Sequence, residues 1–293
     1  MAKNSSIEWT HHTFNPWWGC TKVSPGCKNC YAETFARRVG LDVWGGRADR
    51  RFFSDAHWRE PIRWNAQAAA EGVRHRVFCA SMADVFEARA ELDQWRERLW
   101  VLIDSTPALD WLLLTKRPER IEAKAPWANH WPANVWLGTT AENQLWANRR
   151  IPILLQHPAA VRFVSCEPLI GPLDLSSWLG DGVQRGIDWV IAGGESGFKA
   201  RPMNPEWPRK LRDQCSQAGV AFHFKQWGHW CPDEPGMPNA VRRQYVMTSD
   251  GSRIALVRLG KHAAGRDLDG QEWNEFPVPD LSTVQSLQVR AAQ

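Results

Sequence analysis

At 293 residues, with 43% hydrophobic and 23% charged residues, the chain can bury a sizeable core and is neither disordered nor fibrous in composition. No apolar run approaches the length that spans a bilayer, and the opening MAKNSSIEWTHH has no apolar stretch after its lysine; both predict no membrane, no secretory signal and a cytoplasmic location. The formal charge of +4 permits a nucleic-acid partner without demanding one.

The first predicted strand is IEWT, from Ile7, and a helix over Tyr31–Val39 follows a cysteine-bearing loop. HRVFCAS from His75 is the second strand, followed by a helix over Leu92–Asp104, and LDWLLLT from Leu109 is the third. NVWLGTT from Asn134 is the fourth, with a helix over Glu142–Leu155 interrupted by Pro152. VRFVSCE from Val161 and IDWVIAGGE from Ile187 come next. A helix over Glu206–Gln217, stopped by Gly219, leads to VAFHFKQ from Val220. The apolar centres of these strands are nearly continuous, as in a parallel sheet buried on both faces. Strand–helix alternation predicts an α/β fold, a complete or partial (β/α) TIM-type barrel, over residues 1–228.

Beyond Gly228 the pattern changes to a C-terminal appendage, residues 229–293, packed on the barrel. CPDEPGMPNA reads as a loop, and YVMTSDGSRIALVRL as a hairpin turning at Ser249-Asp250-Gly251. The last dozen residues are expected to fray. Most of the nineteen tryptophans are expected in the core, with a few available to line a groove.

Residues just after barrel strands converge on one face. Here those positions carry Cys20, Cys27 and Cys30, then the segments 81–87, 115–120, 138–143, 165–168, 193–197 and 225–227, each bearing polar residues. Seven cysteines without an export signal argue against a disulfide framework, and only these three cluster, as C-x6-C-x2-C. Three thiolates on a cubane iron–sulfur cluster leave one iron open to the amino and carboxylate groups of S-adenosylmethionine, whose reductive cleavage yields a 5′-deoxyadenosyl radical. The other reading is zinc, with His11, His12 or Cys166 as a fourth ligand.

The cysteine loop, SMADVFE and LLLTKRPER together resemble radical S-adenosylmethionine enzymes of the spore-photoproduct-lyase-like branch. Nearly the whole chain is similar to the phage-associated three-cysteine-motif family, a domain of unknown function. The motifs are FNPWWGC, CKNCYA, LLTKRPER, GTTAEN, SCEPLIGP, GGESG, FHFKQWG and GRDLDGQEW. The first cysteine interval is three residues longer than the C-x3-C of the radical enzymes, and a turn at Ser24-Pro25-Gly26 is expected to absorb them.

The resemblance implies a 4Fe-4S cluster on Cys20, Cys27 and Cys30. It implies that Ser81 and Lys116 hold the cofactor carboxylate, that Asp84 accepts from its amino group or ribose, and that Thr139 and Glu142 contact the nucleoside. Helix capping is the structural alternative for Ser81 and Asp84, and a solvated charge for Lys116. Glu167 and Glu195 lie where substrate is expected and are candidate acids or bases, with structural hydrogen bonding as the alternative. An electron donor, and in one version a partner protein, complete the system. Arg37, Arg38, Arg47, Arg50 and Arg51, interleaved with Trp44, Phe52 and Phe53, are the candidate DNA or RNA contact, against a solvated helix edge. The rival function is a non-catalytic, zinc- or cluster-stabilised nucleic-acid-binding protein.

Overall fold

The computed structural model describes residues 7–128, 130–180, 185–233 and 242–279. Its elements in chain order begin with β1 (His12–Thr13), α1 (Tyr31–Arg38), α2 (Asp55–Trp58), α3 (Glu60–Glu71), β2 (His75–Cys79), α4 (Asp93–Asp104) and β3 (Leu109–Thr115). There follow α5 (Ile121–Lys124), β4 (Val135–Thr140), α6 (Gln144–Leu154), β5 (Val161–Cys166), β6 (Trp189–Gly193), α7 (Glu206–Ala218) and β7 (Ala221–Gln226). The series closes with β8 (Trp230–Pro232), β9 (Arg243–Met247), β10 (Arg253–Arg258) and α8 (Lys261–Ala264).

Strands β1 to β7 form one parallel sheet in sequence order. The sheet curls. Laid flat, β1 and β6 would stand about 24 Å apart at the usual strand spacing, yet Trp9, just before β1, meets Trp189 of β6 with ring centroids 6.0 Å apart. The architecture is a partial (β/α) barrel.

Strand alternation divides the core in two. Trp9, Phe78, Leu112, Trp136, Phe163 and Trp189 fill the concave side. Their neighbours Val77, Trp111, Leu137, Val164 and Val190 face the helices, against Leu99, Ile103, Ile151 and Leu211. Burial on both faces accounts for the unbroken apolar runs. Eleven of the nineteen tryptophans are buried and the other eight partly so, which places the group in the core as expected.

The predicted first strand is a correction. Ile7–Thr10 is a turn, closed by Thr10 N–H on Ile7 O at 3.1 Å, and the strand is the short β1 beyond it. The turn lets Trp9 drop into the barrel interior, where it is 2% exposed. Helix α6 also continues past Pro152 to Leu154.

Strands β8, β10 and β9 make a separate antiparallel sheet in that order. Its β9–β10 hairpin turns where expected: Asp250 Oδ1 accepts from Ser252 N–H and Thr248 Oγ1, and Gly251 takes a positive φ. Most of the predicted loop after Cys231 and the predicted frayed end lie outside the described residues. Farther on, Trp273 and Glu275 hydrogen-bond the backbone of Phe224 and Phe222, so this segment runs antiparallel along β7 and covers that edge of the large sheet.

Candidate active site

A cavity of about 640 Å³ opens at the C-terminal ends of the parallel strands. The three clustered cysteines line it, with Ser81, Asp84, Lys116, Glu167 and Glu195 among the other expected residues. Thr139 and Glu142 do not. Thr139 has the strand parity of Leu137 and turns to the helix side, donating to Thr115 O at 2.9 Å, so its neighbour Thr140 reaches the cavity instead. Glu142 is fully buried beneath the cysteine loop.

The cysteine loop crosses the mouth of the half-barrel and is tied to three strand ends. Arg117, after β3, donates to Thr21 O at 2.5 Å and contacts Cys20 Sγ at 3.6 Å. Glu142, after β4, accepts from Gly26 N–H at 3.1 Å and from Arg150 Nη1 at 2.8 Å. A side chain on Gly26 would put its Cβ 3.1 Å from the Glu142 carboxylate, so glycine permits this close approach. Arg201 donates to Pro25 O at 3.1 Å and pairs with Glu195 after β6, which also accepts from Asn29 Nδ2 at 2.9 Å. The expected turn is a short 3-10 segment, Pro25–Cys27.

Burial pushes the Cys20 thiol up to about 12 while Arg117 pulls against it. Burial also raises Cys30, opposed by the N–H groups of Glu33 and Ala32 at the start of α1 and by Lys116. An apolar setting favours the neutral thiol, and these cationic and N–H groups favour the thiolate that a metal needs. Cys20, Cys27 and Cys30 are free thiols. Among the described residues no three His, Cys, Asp or Glu side chains converge as they stand on one point that could hold a metal ion. The donor chemistry nevertheless suits a cluster bound by three thiolates. The candidate fourth zinc ligands are elsewhere: His11 and His12 bond to Arg76 and His75 at the start of β2, and Cys166 lies in the helix-side core.

Asp84 ties two loops together. Oδ1 accepts from Phe86 N–H and Thr115 Oγ1, and Oδ2 from Lys116 N–H and Arg117 Nη1, at 2.7 to 3.0 Å. Four donors fill the four acceptor positions of a carboxylate, which corrects its expected role as a free cofactor acceptor. Ser81 exchanges hydrogen bonds with Asn15, and Tyr31 donates to Ser81 O at 2.9 Å. Lys116 is different. Its Nζ donates to Thr140 Oγ1 at 3.0 Å and has no carboxylate within ion-pair distance among the described residues. It presents an uncompensated cation to the cavity.

Glu167 chelates Lys225 Nζ at 2.7 Å with both oxygens, inside the cavity. Burial pushes the Glu195 carboxyl up, but the donors from Arg201 and Asn29 outweigh it and hold its pKa below the ordinary value. That fits a latch better than an acid. Gly194, beside it, has no room for a side chain: a Cβ would sit 1.9 Å from Trp227 O. The sequence placed Arg117, Thr140 and Lys225 in the strand-end segments without giving them a role, and it missed Asn15. Strand-end position was the signal for these three, whereas Asn15, in the loop before the cysteines, had only its place in FNPWWGC.

The basic run is redistributed. Arg50 is buried, paired with Glu87 at 2.8 Å and donating to Val43, Gly45 and Ala48 carbonyls, so it organises the loop and is closed to phosphate. Arg37 pairs with Glu33 at 2.8 Å. Phe52 stacks on Trp95, while Arg51 lies 4.9 Å from the ring of Trp18, which with Trp44 lines the cavity. Among the described residues no helix is long and apolar enough to cross a membrane.

Fold and site together define an α/β protein with a partial (β/α) barrel, whose strand ends gather around one cavity three thiols and a lysine without a carboxylate partner among the described residues. The chain belongs to the family described as Protein of unknown function (DUF5131), whose model matches residues 4–277. Among solved structures it is similar to spore photoproduct lyase. A mutant of that lyase with bound AdoMet and dinucleoside spore photoproduct is 13% identical, with TM-score 0.37, over 85% of this chain and 68% of that one. A second lyase mutant is 12% identical, with TM-score 0.39, over 87% of this chain and 70% of that one. No curated protein matches the chain.

Proposed function

We propose that this chain is a radical S-adenosylmethionine enzyme that holds a 4Fe-4S cluster on Cys20, Cys27 and Cys30 and acts on a nucleic-acid base. The observation that carries this reading is the pairing, in one cavity, of three free thiols with the uncompensated Lys116. When bound, the cluster and its sulfonium cofactor would supply one-electron cleavage to a carbon radical, fed by an external electron donor. The chain's own residues bind and position. Lys116 offers a point charge to the cofactor carboxylate, with Ser81 and Asn15 beside it. Arg117 and the start of α1 favour anionic sulfur. The Glu167–Lys225 pair stands where a substrate polar group would meet it, offering an ammonium donor and a carboxylate acceptor. The absence of His11, His12 and Cys166 from the cavity favours this reading over a four-ligand zinc site.

Anaerobic reconstitution is expected to load about four irons per chain. The reduced protein's electron paramagnetic resonance signal is expected to change on adding S-adenosylmethionine, with 5′-deoxyadenosine formed. A sample that retains zinc and takes up no iron, or a fully loaded one that never cleaves the cofactor, would overturn the proposal. Replacing each of the three cysteines by alanine is expected to abolish iron loading, while Cys215→Ala leaves it intact.

A further inference from the structure

Phe198 is 85% exposed, yet the loop that bears it is firmly held. Gly197 N–H donates to His229 Nδ1 at 2.9 Å. Arg258 of β10 donates to the carbonyls of Gly197 and Phe198, at 3.2 and 2.7 Å. Asn29 holds Lys199 O at 2.8 Å and Trp230 holds Ala200 O at 2.9 Å. The backbone on both sides of Phe198 is therefore fixed while its ring stands in solvent, with the Arg258 guanidinium 5.5 Å from the ring centroid. A ring presented on a fixed backbone loses little conformational freedom when something stacks on it.

Its position is specific. Glu195 and Ser196, a few residues earlier on the same loop, line the cavity, and so does Lys261 at the start of α8. The nearby segment is rich in cations, although Arg243 pairs with Asp233 and Arg266 with Glu272. Residues 242–266 contain six Lys or Arg and a single acidic residue, Asp250, and Lys199 is exposed beside the ring. An aromatic face flanked by cations at a cavity mouth is complementary to an unpaired nucleotide: the base stacks and the phosphates meet the cations. Duplex DNA, with its bases already stacked on each other, offers this ring no free face.

We infer that Phe198, with Arg258, Lys199 and Lys261, forms a stacking platform for an unpaired nucleotide at the mouth of the cavity. The inference rests on the nucleic-acid part of the proposed function and gives it a strand type and a docking face. The test is fluorescence anisotropy of labelled single-stranded DNA and RNA oligonucleotides, and of the matching duplex, with the reconstituted full chain. Phe198→Ala is expected to weaken single-strand binding on the order of tenfold, and Phe198→Trp to retain it. Lys199→Ala and Lys261→Ala are expected to weaken binding and lower its dependence on salt. Tyr245→Ala, on the outer strand of the small sheet, serves as the control and is expected to change nothing. Equal affinity of Phe198→Ala and the parent chain, no binding of either single strand, or preference for the duplex would overturn the inference. Binding is read without turnover, so these failures are distinct from a failure to cleave S-adenosylmethionine.

Discussion

Replacing Glu142 by alanine separates two roles for a residue that the family resemblance assigns to the nucleoside. In the structure Glu142 accepts from Arg150 and Gly26 and is 0% exposed. Arg150 is 2% exposed, and besides Glu142 its Nη1 meets only Thr140 O, at 2.8 Å. Its Nε and Nη2 have no hydrogen-bond partner among the described residues, and the Trp146 ring lies 4.2 Å away, with Asp84 adding a weaker attraction. Deleting the carboxylate therefore strands a buried guanidinium, a loss of about 3–5 kcal/mol, with about 1 kcal/mol more for the lost bond to Gly26. For a chain of this size the expected fall in Tm is roughly 10 °C. The double replacement Glu142→Leu with Arg150→Met leaves no charge behind and is expected to recover most of that fall. Thermal and urea unfolding followed by circular dichroism measure both. If Glu142→Ala melts with the parent chain and only loses affinity for S-adenosylmethionine, the structural reasoning is wrong and the nucleoside contact is right.

Lys116→Met is expected to leave the melting temperature unchanged and to weaken S-adenosylmethionine binding by about tenfold or more, the scale of one lost charged hydrogen bond; calorimetry on reconstituted protein that finds equal affinity would refute it. The imidazole of His223, 1% exposed between Trp189 and Phe276, has its pKa lowered to about 3 by burial first and then by Arg266, Lys225 and Arg76. The unfolded chain takes up this proton near 6.5 and the folded chain does not, so the contribution of His223 is whole above about pH 6.5 and is lost as the pH falls towards 3, by up to about 1.4 kcal/mol per unit. His223→Phe is expected to flatten that limb of a urea-unfolding pH series, and an unaltered slope would count against the assignment.

Strands β2 to β7 were legible because burial on both faces writes itself into the sequence as an unbroken apolar run. Strand β1 was not, because a two-residue strand has no period and IEWT imitates one. At the site, the residue types were legible and their duties were not. Thr139 and Thr140 are indistinguishable by type, and strand parity decides which one sees the cavity. Asp84, Glu195 and Arg50 are charged residues at strand ends or in loops, as a functional site requires. Their charges are satisfied by Arg117, Arg201 and Glu87, partners 33, 6 and 37 positions away. Only the Arg201 pairing is close enough in sequence to be suspected. Lys116 stands out for the converse reason, that no carboxylate was brought to it, and this too belongs to the fold.

The long first interval of the cysteine motif gains a structural reason from the same contacts. The sheet runs from β1 to β7 without pairing those two strands, so its C-terminal mouth lacks the closure that a complete barrel has. The residues between Cys20 and Cys27 supply a tie across that mouth. Pro25 O meets Arg201 beyond β6, and Gly26 N–H meets Glu142 beyond β4. An interval shortened by three residues would lose the turn that makes both contacts and would leave Cys27 without its anchor to β4. The segment between Cys20 and Cys27 thus ties three thiols, carried on a loop after β1, to the ends of β3, β4 and β6. The proposed cluster would need such support above an open sheet, because ligands that wander forfeit the preorganisation on which affinity depends.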